Sequence, residues 1–124
     1  MANNGLTKSY IAEGAIGAGL IVKVGAADYG VLVAAAVGDK SIGISTEIAA
    51  TTGDRTDVIH SGIADLKLGG TVARGDFLTS DASGQGVTAA PAAGTNNRII
   101  GMALIAGVSG DIIPVIVEPM SFQG

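Results

Sequence analysis

The chain has no cysteine and no tryptophan, and only one histidine among its 124 residues. Without cysteine it can form neither a disulfide framework nor a thiolate metal site. A single histidine also leaves too few ligands for a typical histidine-rich metal site. We therefore expect no metal and no cofactor, and stability must come from packing, hydrogen bonding and association.

Aromatic residues are scarce, at 3% of the chain, although 48% of it is hydrophobic. The apolar content is thus mainly Ala, Val, Ile and Leu. Such a core lacks the large rings that supply much of the energy in many cores and interfaces. Contacts between subunits are one way to compensate.

Charge is sparse too, with 15% charged residues against about 25% in an average soluble domain. Seven basic residues face eleven acidic ones, for a net charge of −4. Because binding to a phosphate backbone needs clustered cations, we do not expect nucleic acid as a partner. A weakly charged surface suits a protein that is covered largely by neighbours.

Long hydrophobic runs are also missing. The longest unbroken apolar stretch, residues 31–37, has seven residues, whereas a bilayer span needs roughly 20. The first residues, MANNGLTK, have neither a basic start nor an apolar signal core. We expect a soluble chain that is made in the cytoplasm and has no membrane partner.

Glycine is abundant, with twenty residues spread along the chain. Each glycine inside a helix costs about 1 kcal/mol relative to alanine, so long helices are disfavoured. Short β-branched runs between the glycines predict an all-β fold: one small glycine-rich barrel or sandwich-like domain. We expect at most one or two helical turns, within 33–40 and 46–51, and hairpin turns at 81–86 and 107–111.

The last predicted strand carries apolar residues on both faces, with Ile112, Pro114 and Ile116 alternating with 113, 115 and 117. This pattern predicts that both faces are covered. Proline has no N–H to donate, so Pro114 favours an edge strand whose free side stays open or is covered by a partner.

The two ends differ in character from the middle. Residues 1–9 are polar and contain glycine, which is typical of a flexible arm that orders on binding. We therefore divide the chain into an N-terminal arm at 1–9, a β-barrel-like domain at 10–118 and an irregular C-terminal tail at 119–124.

Residues that could support catalysis are few. His60 has Asp57 and Ser61 nearby in sequence, but adjacent strand residues point to opposite faces, and a triad is defined by spatial roles. We interpret His60 as a polar residue at a strand end. The acidic residues lie mostly beside glycines, where turns and caps need an oxygen. We predict no catalytic site and no enzyme.

Two short motifs also have ordinary explanations. The segment GAIGAG at 14–19 lacks the order of a phosphate-binding loop, and a predicted strand rather than a helix follows it. The tripeptide RGD at 74–76 is explained by a turn.

Five glycine-bearing segments follow one another along the chain: KSIGIS at 40–45, VIHSGIA at 58–64, GGTVARGDFLTSD at 69–81, RIIGMA at 98–103 and GDIIPVIV at 110–117. In this order they resemble the head decoration (capsid cement) proteins of tailed bacteriophages. The resemblance extends over about residues 20–118.

The resemblance implies a β-barrel-like subunit, usually a homotrimer, on the outer surface of an icosahedral head after expansion. Its partners would be the major capsid protein and other copies of itself. Binding to the mature lattice alone would stabilise that state by linkage, and many weak contacts would add together. The chain would be made in the host cytoplasm and end in the virion.

With this role, we expect the N-terminal arm to bind the capsid, for example by adding a strand to a capsid sheet edge. The arm residues are Ala2, Asn3, Asn4, Gly5, Leu6, Thr7, Lys8, Ser9 and Tyr10. Pro119, Met120 and Phe122 are candidates for subunit contact, and a C-terminal flap packed on the chain's own core explains them equally well.

Two other function classes stay open. Glycine-rich β patterns also suit a tail, fibre or receptor-binding module of a virion, and a solvent-facing aromatic or charged patch at the loop tips would favour that interpretation. A small hydrolase or lyase would need a deep pocket that holds His60 with two carboxylates.

Overall fold

A computed structural model describes residues 7–36, 39–46, 49–89 and 96–123, with only the backbone described at 96 and 119–123. Ten strands and no helix occur in these ranges, which confirms the all-β prediction. The strands are β1 (Thr7–Ala12), β2 (Ile21–Val24), β3 (Gly30–Val33), β4 (Ser41–Ser45), β5 (Arg55–Ile59), β6 (Gly62–Lys67), β7 (Phe77–Ser80), β8 (Gly86–Thr88), β9 (Asn96–Ala103) and β10 (Ile112–Gln123).

The helical turns expected within 33–40 and 46–51 are absent from the described residues of those segments. Residues 37, 38, 47 and 48 lie outside the described ranges. Across the part of the chain that the structure describes, no helix is long and apolar enough to cross a membrane.

The first five strands form a closed barrel in the order β1-β3-β2-β4-β5. β5 closes the barrel by pairing with β1 in antiparallel orientation, from Thr7 opposite Ile59 to Ile11 opposite Arg55. β1 and β3 pair in parallel over a short register, in which Ile11 is opposite Gly30 and Ala12 is opposite Val31.

The last five strands form a second sheet in the order β6-β10-β9-β7-β8, with antiparallel neighbours throughout. A parallel bridge between Leu68 and Gly86 links β8 to the segment that follows β6. The sheet therefore curls towards its own first strand.

Two apolar clusters fill the molecule. The smaller one lies within the barrel and consists of Ala12, Ile16, Val22, Val31, Ala50 and Val58. The larger one joins barrel residues such as Ile21 and Ile44 to sheet residues such as Leu66 and Val115. The shared cluster is therefore what holds the sheet on the barrel.

Both predicted hairpin turns are confirmed. Asp81 Oδ1 accepts hydrogen bonds from the backbone N–H groups of Ser83 and Gln85, and Gly84 has a φ of +75°. This turn joins β7 to β8, and the turn at 107–111 joins β9 to β10.

The prediction that Pro114 marks an edge strand is wrong. β10 lies between β6 and β9, and Pro114 itself is opposite Asp65 of β6. The Pro114 carbonyl accepts from Leu104 N–H, one residue past the end of β9 at Ala103. The missing N–H therefore points to the side of β9, where the ladder has ended, and no strand hydrogen bond is lost.

The prediction that both faces of β10 are covered is also wrong. Ile113 and Val115 are buried against the barrel, whereas Ile112 is 64% exposed. An apolar row crosses the outer face of four strands, with Ile63 opposite Ile116, Ile116 opposite Met102, and Met102 opposite Phe77. Ile63 and Phe77, at the ends of the row, are exposed.

The predicted boundaries of the N-terminal arm and of the C-terminal tail both differ from the structure. Residues 119–123 are not irregular, because β10 continues to Gln123 and pairs with β9 beyond a bulge between Val117 and Met120. At the other end, Thr7 to Ser9 belong to β1 rather than to a free arm. Residues 7–9 are uniformly polar, so no alternation marks them as a strand, and the apolar–polar alternation of residues 120–123 is only four residues long and follows a proline.

Candidate functional site

The described side chains contain no group of three or more histidine, cysteine, aspartate or glutamate residues that could hold a metal ion. The residues of interest gather instead on the barrel, around β1 and the loop between β2 and β3.

His60 follows β5 and links two other strands of the barrel. Its Nδ1 lies 2.8 Å from the backbone oxygen of Ile42 in β4, and its Nε2 lies 2.7 Å from the hydroxyl of Tyr10 in β1. A carbonyl oxygen can only accept, so Nδ1 donates, and in a neutral imidazole Nε2 accepts from the Tyr10 hydroxyl. His60 therefore ties β1 to β4.

The Tyr10 ring packs against His60, with 5.4 Å between the ring centroids. Burial, and secondarily the nearby Tyr29, raises the pKa of Tyr10, which keeps its hydroxyl protonated. With both ring nitrogens engaged, His60 has no free nitrogen with which to activate a nucleophile.

The structure does not bring Asp57 to His60. The Asp57 carboxylate accepts a hydrogen bond from the Ser9 hydroxyl at 2.6 Å, on the exposed outer side of β1 and β5. Asp57 thus reinforces the pairing of β1 with β5.

The loop at 25–30, between β2 and β3, is built around the Glu13 carboxylate. Glu13 Oε1 and Oε2 accept from the backbone N–H groups of Ala26 and Ala27 at 2.8 and 2.9 Å. These two hydrogen bonds lower the pKa of Glu13. A Cβ at Gly25 or Gly30 would overlap the carboxylate, so a larger residue at either position would displace Glu13 from these hydrogen bonds.

Tyr29 is the exposed tip of this loop. It is 65% exposed and has a φ of +61°, the one positive φ among the described non-glycine residues. A bulky residue in the left-handed region is strained, and such strain concentrates at functional positions. Lys8 Nζ lies 5.3 Å from the centroid of its ring, within the range of a cation–π contact.

An open strand edge lies next to Tyr29. β5 covers one side of β1 from Thr7 to Ile11, but β3 covers the other side only from Ile11 onward. Among the described residues, no strand lies beside Thr7 to Tyr10 on that side. The closed barrel therefore keeps a short exposed edge.

A surface depression with a volume of about 320 Å³ opens beside this edge, lined by Ser9, Tyr10, Ile11, Tyr29 and Arg55. Ile11 is 43% exposed, and Arg55 is exposed opposite it on β5. We call the surface formed by Thr7, Lys8, Ser9, Ile11, Tyr29 and Arg55 the β1-edge site.

The predicted site residues fall into three groups. Thr7, Lys8, Ser9 and Tyr10 lie in β1, and the first three belong to the β1-edge site. Ala2, Asn3, Asn4, Gly5 and Leu6 lie outside the described residues. For Pro119, Met120 and Phe122, the backbone is the last part of β10, and their role in subunit contact stays a prediction.

Sequence reasoning missed Tyr29, Arg55 and Glu13. The glycines at 25 and 30 around an aromatic residue were the available signal, because they mark a tight loop with one large side chain at its tip. The role of Glu13 could not be predicted, because its partners are backbone groups 13 and 14 positions away.

The geometry defines a small all-β protein in which a closed barrel and a curled sheet share one core. No known protein family matches the chain, and no curated protein is significantly similar to it. Its fold is similar to a solved structure, the N base of head fiber gp8.5 of bacteriophage phi29, with a TM-score of 0.65. The match covers 96% of this chain and 98% of that chain at 15% sequence identity, so it shows a shared fold.

Proposed function

We propose that this chain is a non-enzymatic structural protein of a phage virion, a decoration subunit that binds the outer surface of the expanded head and stabilises it against the pressure of the packaged DNA. The observation that carries the proposal is the fold. Nearly the whole chain superposes on the base of a phage head fibre protein, and the order of its glycine-bearing segments between residues 20 and 118 resembles that of phage head decoration proteins.

The surface of the molecule supports a role in association. The outer row of Ile63, Ile116, Met102 and Phe77 is apolar, with Ile63 and Phe77 exposed at its ends. Contiguous apolar surface of this kind is typical of contacts with other proteins. On a head lattice, the major capsid protein and further copies of this chain, in a trimer, are the proposed partners.

The contacts of the one histidine do not suit a catalytic role for it. His60 uses both ring nitrogens in structural contacts, and Asp57 is bonded to Ser9 instead. A hydrolytic site would need an acid, a base and a nucleophile that converge on one point.

A second candidate function is the base module of a head fibre or another receptor-recognising part of the virion. Two observations favour it: the fold neighbour is itself a fibre base, and Tyr29 is a solvent-facing aromatic residue at a loop tip. Both functions place the chain on the outside of a virion. Loss of a decoration subunit should impair DNA retention, whereas loss of a fibre base should impair attachment to host cells.

The experiment uses virions of the encoding phage produced with and without this gene. We measure the temperature at which their DNA becomes accessible to a dye, and the rate at which they attach to host cells. The decoration function predicts DNA release at a lower temperature without the chain, and restoration when purified protein is added back.

Gly101→Ala protein is the matched control for the add-back, because its new Cβ would overlap the Ile116 oxygen and we expect it to misfold. Unchanged DNA retention together with slow host attachment would contradict the decoration function and favour the fibre-base function. Unchanged behaviour in both assays would contradict both.

A further inference from the structure

We propose that the outer row of one copy of this chain packs on the β1-edge site of a second copy, with Phe77 against Ile11 and Tyr29. The inference deepens the proposed function and rests on it, because it names the surfaces by which copies of the chain would contact one another on a head. A repeat within the chain shows what such a row binds.

The barrel and the sheet are two units with the same strand order. We call β1 to β5 the first unit and β6 to β10 the second unit. Followed from its first strand, the barrel has the order β1-β5-β4-β2-β3, and the sheet has the order β6-β10-β9-β7-β8. Neighbours along both orders are antiparallel. The third strand of each unit also pairs in parallel near the end of the first strand, Val31 with Ala12 and Gly86 with Leu68.

The registers of the two units match as well. Three cross-strand pairs form the outer row of the second unit, and they join Phe77, Met102, Ile116 and Ile63. The same three pairings in the first unit join Ile21, Ile44, Ile59 and Thr7. The two rows are therefore counterparts, residue by residue in this order.

In the first unit this row is buried against the second unit. Ile21 and Ile44 are fully buried in the shared cluster, and Ile59 packs against that cluster. β4, which carries Ile44, contacts β6, β9 and β10 of the second unit. Within the chain, a row of this kind therefore binds a unit of the same fold.

Residues 19–21 lead into the row of the first unit and bind the second unit through the backbone. Lys67 N–H donates to Gly19 O at 2.9 Å, and Ile21 N–H donates to Gly84 O at 2.8 Å. The segment thus lies between the end of β6 and the turn before β8.

The first unit has its own version of the surface that receives residues 19–21. Arg55 is opposite Ile11 in the pairing of β5 with β1. Ile112 is opposite Lys67 in the corresponding pairing of β10 with β6. Ile11 is therefore the counterpart of Lys67.

Tyr29 is the counterpart of Gly84. Each lies two residues before the third-strand residue that pairs in parallel, Val31 or Gly86, and their φ values are +61° and +75°. Tyr29 and Ile11 line the depression of about 320 Å³ in the β1-edge site. The depression is therefore the position at which the second unit holds a segment of the first.

Both halves of the contact within the chain thus recur as exposed surfaces. Phe77, the counterpart of Ile21, is 39% exposed at the end of the outer row, and Ile11 and Tyr29 are exposed in the depression. A second copy is the occupant that brings these two surfaces together and buries their apolar side chains. The contact joins different surfaces of the two copies, so its repetition closes a ring if the rotation between copies allows.

One difference limits the contact between copies. Ile11 N–H already donates to Tyr29 O, so a second copy cannot insert its backbone there as residues 19–21 do in the second unit. We expect Phe77 to pack on the side chains of Ile11 and Tyr29 instead, and the contact to be weaker than the one within the chain.

The first test is self-association of the purified full-length protein, measured by sedimentation velocity over a wide range of concentration. We expect the average sedimentation coefficient of the wild-type protein to rise with concentration. This readout does not depend on the folding of any variant.

The row variant is Ile63→Lys with Phe77→Lys, and its matched control is Ile105→Lys with Val108→Lys. Both make the same charge change at exposed apolar residues, but only the first pair lies in the outer row. We expect the row variant to weaken self-association by more than about tenfold, because the burial of two apolar side chains is lost, and the control by less than about threefold. Urea unfolding checks that both variants are folded.

Cysteine cross-linking identifies the surfaces in contact, because the chain has no cysteine of its own. Phe77→Cys protein and isotope-labelled Tyr29→Cys protein are oxidised together, and the disulfide-linked dimers are identified by mass. We expect mixed dimers to predominate. Val108→Cys in place of Phe77→Cys is the control and should give few.

Wild-type protein that stays monomeric at every concentration overturns the inference, as does self-association that survives in the row variant. Dimers of Phe77→Cys with itself, in place of mixed dimers, would mean that rows pack on rows and would contradict the part of the β1-edge site. Normal self-association of a row variant that no longer binds heads would mean that the row faces the capsid. Head binding by the wild-type protein is measured separately, so a monomer that binds heads loses this inference and keeps the proposed function.

Discussion

The barrel of β1 to β5 and the sheet of β6 to β10 are stabilised by different means. In the barrel, polar side chains bind backbone groups of other segments, as Glu13 does for the 25–30 loop and His60 does for β4. In the sheet, long antiparallel ladders carry the pairing, and β10 alone pairs with β6 over six residues. Side-chain hydrogen bonds compensate where short, partly parallel strands pair over few residues.

The two regions also present different surfaces. The barrel offers a short polar edge at β1, whereas the sheet offers an apolar outer row. Each surface suits a different type of contact.

The largest loss of stability on substitution is expected where two backbones approach most closely. A Cβ at Gly101 of β9 would overlap the Ile116 oxygen, and one at Gly43 of β4 would overlap the Ile59 oxygen. Because neither oxygen can move without disturbing a ladder, we expect Gly101→Ala and Gly43→Ala each to cost about 4 kcal/mol or more in the free energy of unfolding.

Urea unfolding measures both variants. Gly70→Ala is the control, because its Cβ would meet Val87 at an ordinary 3.5 Å. A change below about 1 kcal/mol is expected for it, and a stable Gly101→Ala protein would contradict the close packing of β9 on β10.

The second-largest losses of stability are expected from truncating buried residues, and they compare the shared cluster with the barrel cluster. Leu66 belongs to the shared cluster and Val22 to the barrel cluster, and both are fully buried. We expect Leu66→Ala to cost about 3 kcal/mol and Val22→Ala about 2 kcal/mol, from lost burial and the cavities left.

Hydrogen exchange resolved by segment makes this comparison sharper. Leu66→Ala should accelerate exchange in both regions, since the shared cluster joins them, whereas Val22→Ala should act first on the barrel. Equal acceleration everywhere in both variants would mean that the molecule has one cooperative core rather than two.

A smaller effect is expected from the histidine contact in the barrel. Tyr10→Phe removes the hydroxyl that bonds His60 Nε2 and leaves that nitrogen without its partner. We expect a loss of about 1 kcal/mol in the free energy of unfolding, measured by urea denaturation. Tyr29→Phe, at the exposed loop tip, is the control and should leave stability unchanged, so equal losses would refute the structural role of His60.

The smallest effect is a local dependence on pH. Backbone hydrogen bonds lower the pKa of Glu13, and Asp39 and Asp54 of the barrel have lowered pKa values for the same main reason, bonds from Ala35 and Thr51. The stability these groups contribute is fully present above the ordinary carboxyl pKa values of about 4 and is lost as the pH falls through their lowered values.

We therefore expect hydrogen exchange at Ala26 and Ala27 to become less protected in acid, after correction for the intrinsic pH dependence of exchange. The amides of β10 should keep their protection there, because their hydrogen bonds are to backbone carbonyls, which do not titrate. Glu13→Gln should reduce protection at Ala26 and Ala27 at neutral pH, and unaltered protection in that variant would contradict the role of Glu13 in the loop.

Much of the fold could be predicted because its signals are local. Asp81 and Gly84 mark a hairpin by their own side-chain and backbone chemistry, and the alternation in β10 predicts a strand. The order of strands could not be predicted, since alternation shows which face a residue occupies but not which strand lies beside it. Pro114 shows this limit, because its missing N–H indicates an edge only if the neighbouring ladder continues.

The β1-edge site was predicted only in part. Lys8 and Ser9 were expected to bind a partner as a free arm, whereas the structure makes them part of a barrel strand with one open side. Tyr29 and Arg55 join them through the β1–β3 and β1–β5 pairings, which are long-range contacts that no local pattern encodes.

The most direct test of the central claim is co-sedimentation of the purified protein with heads of the encoding phage that lack it, in the expanded form and in the unexpanded precursor form. The proposed function predicts saturable binding to expanded heads and none to precursor heads. An absence of binding to both forms would contradict it.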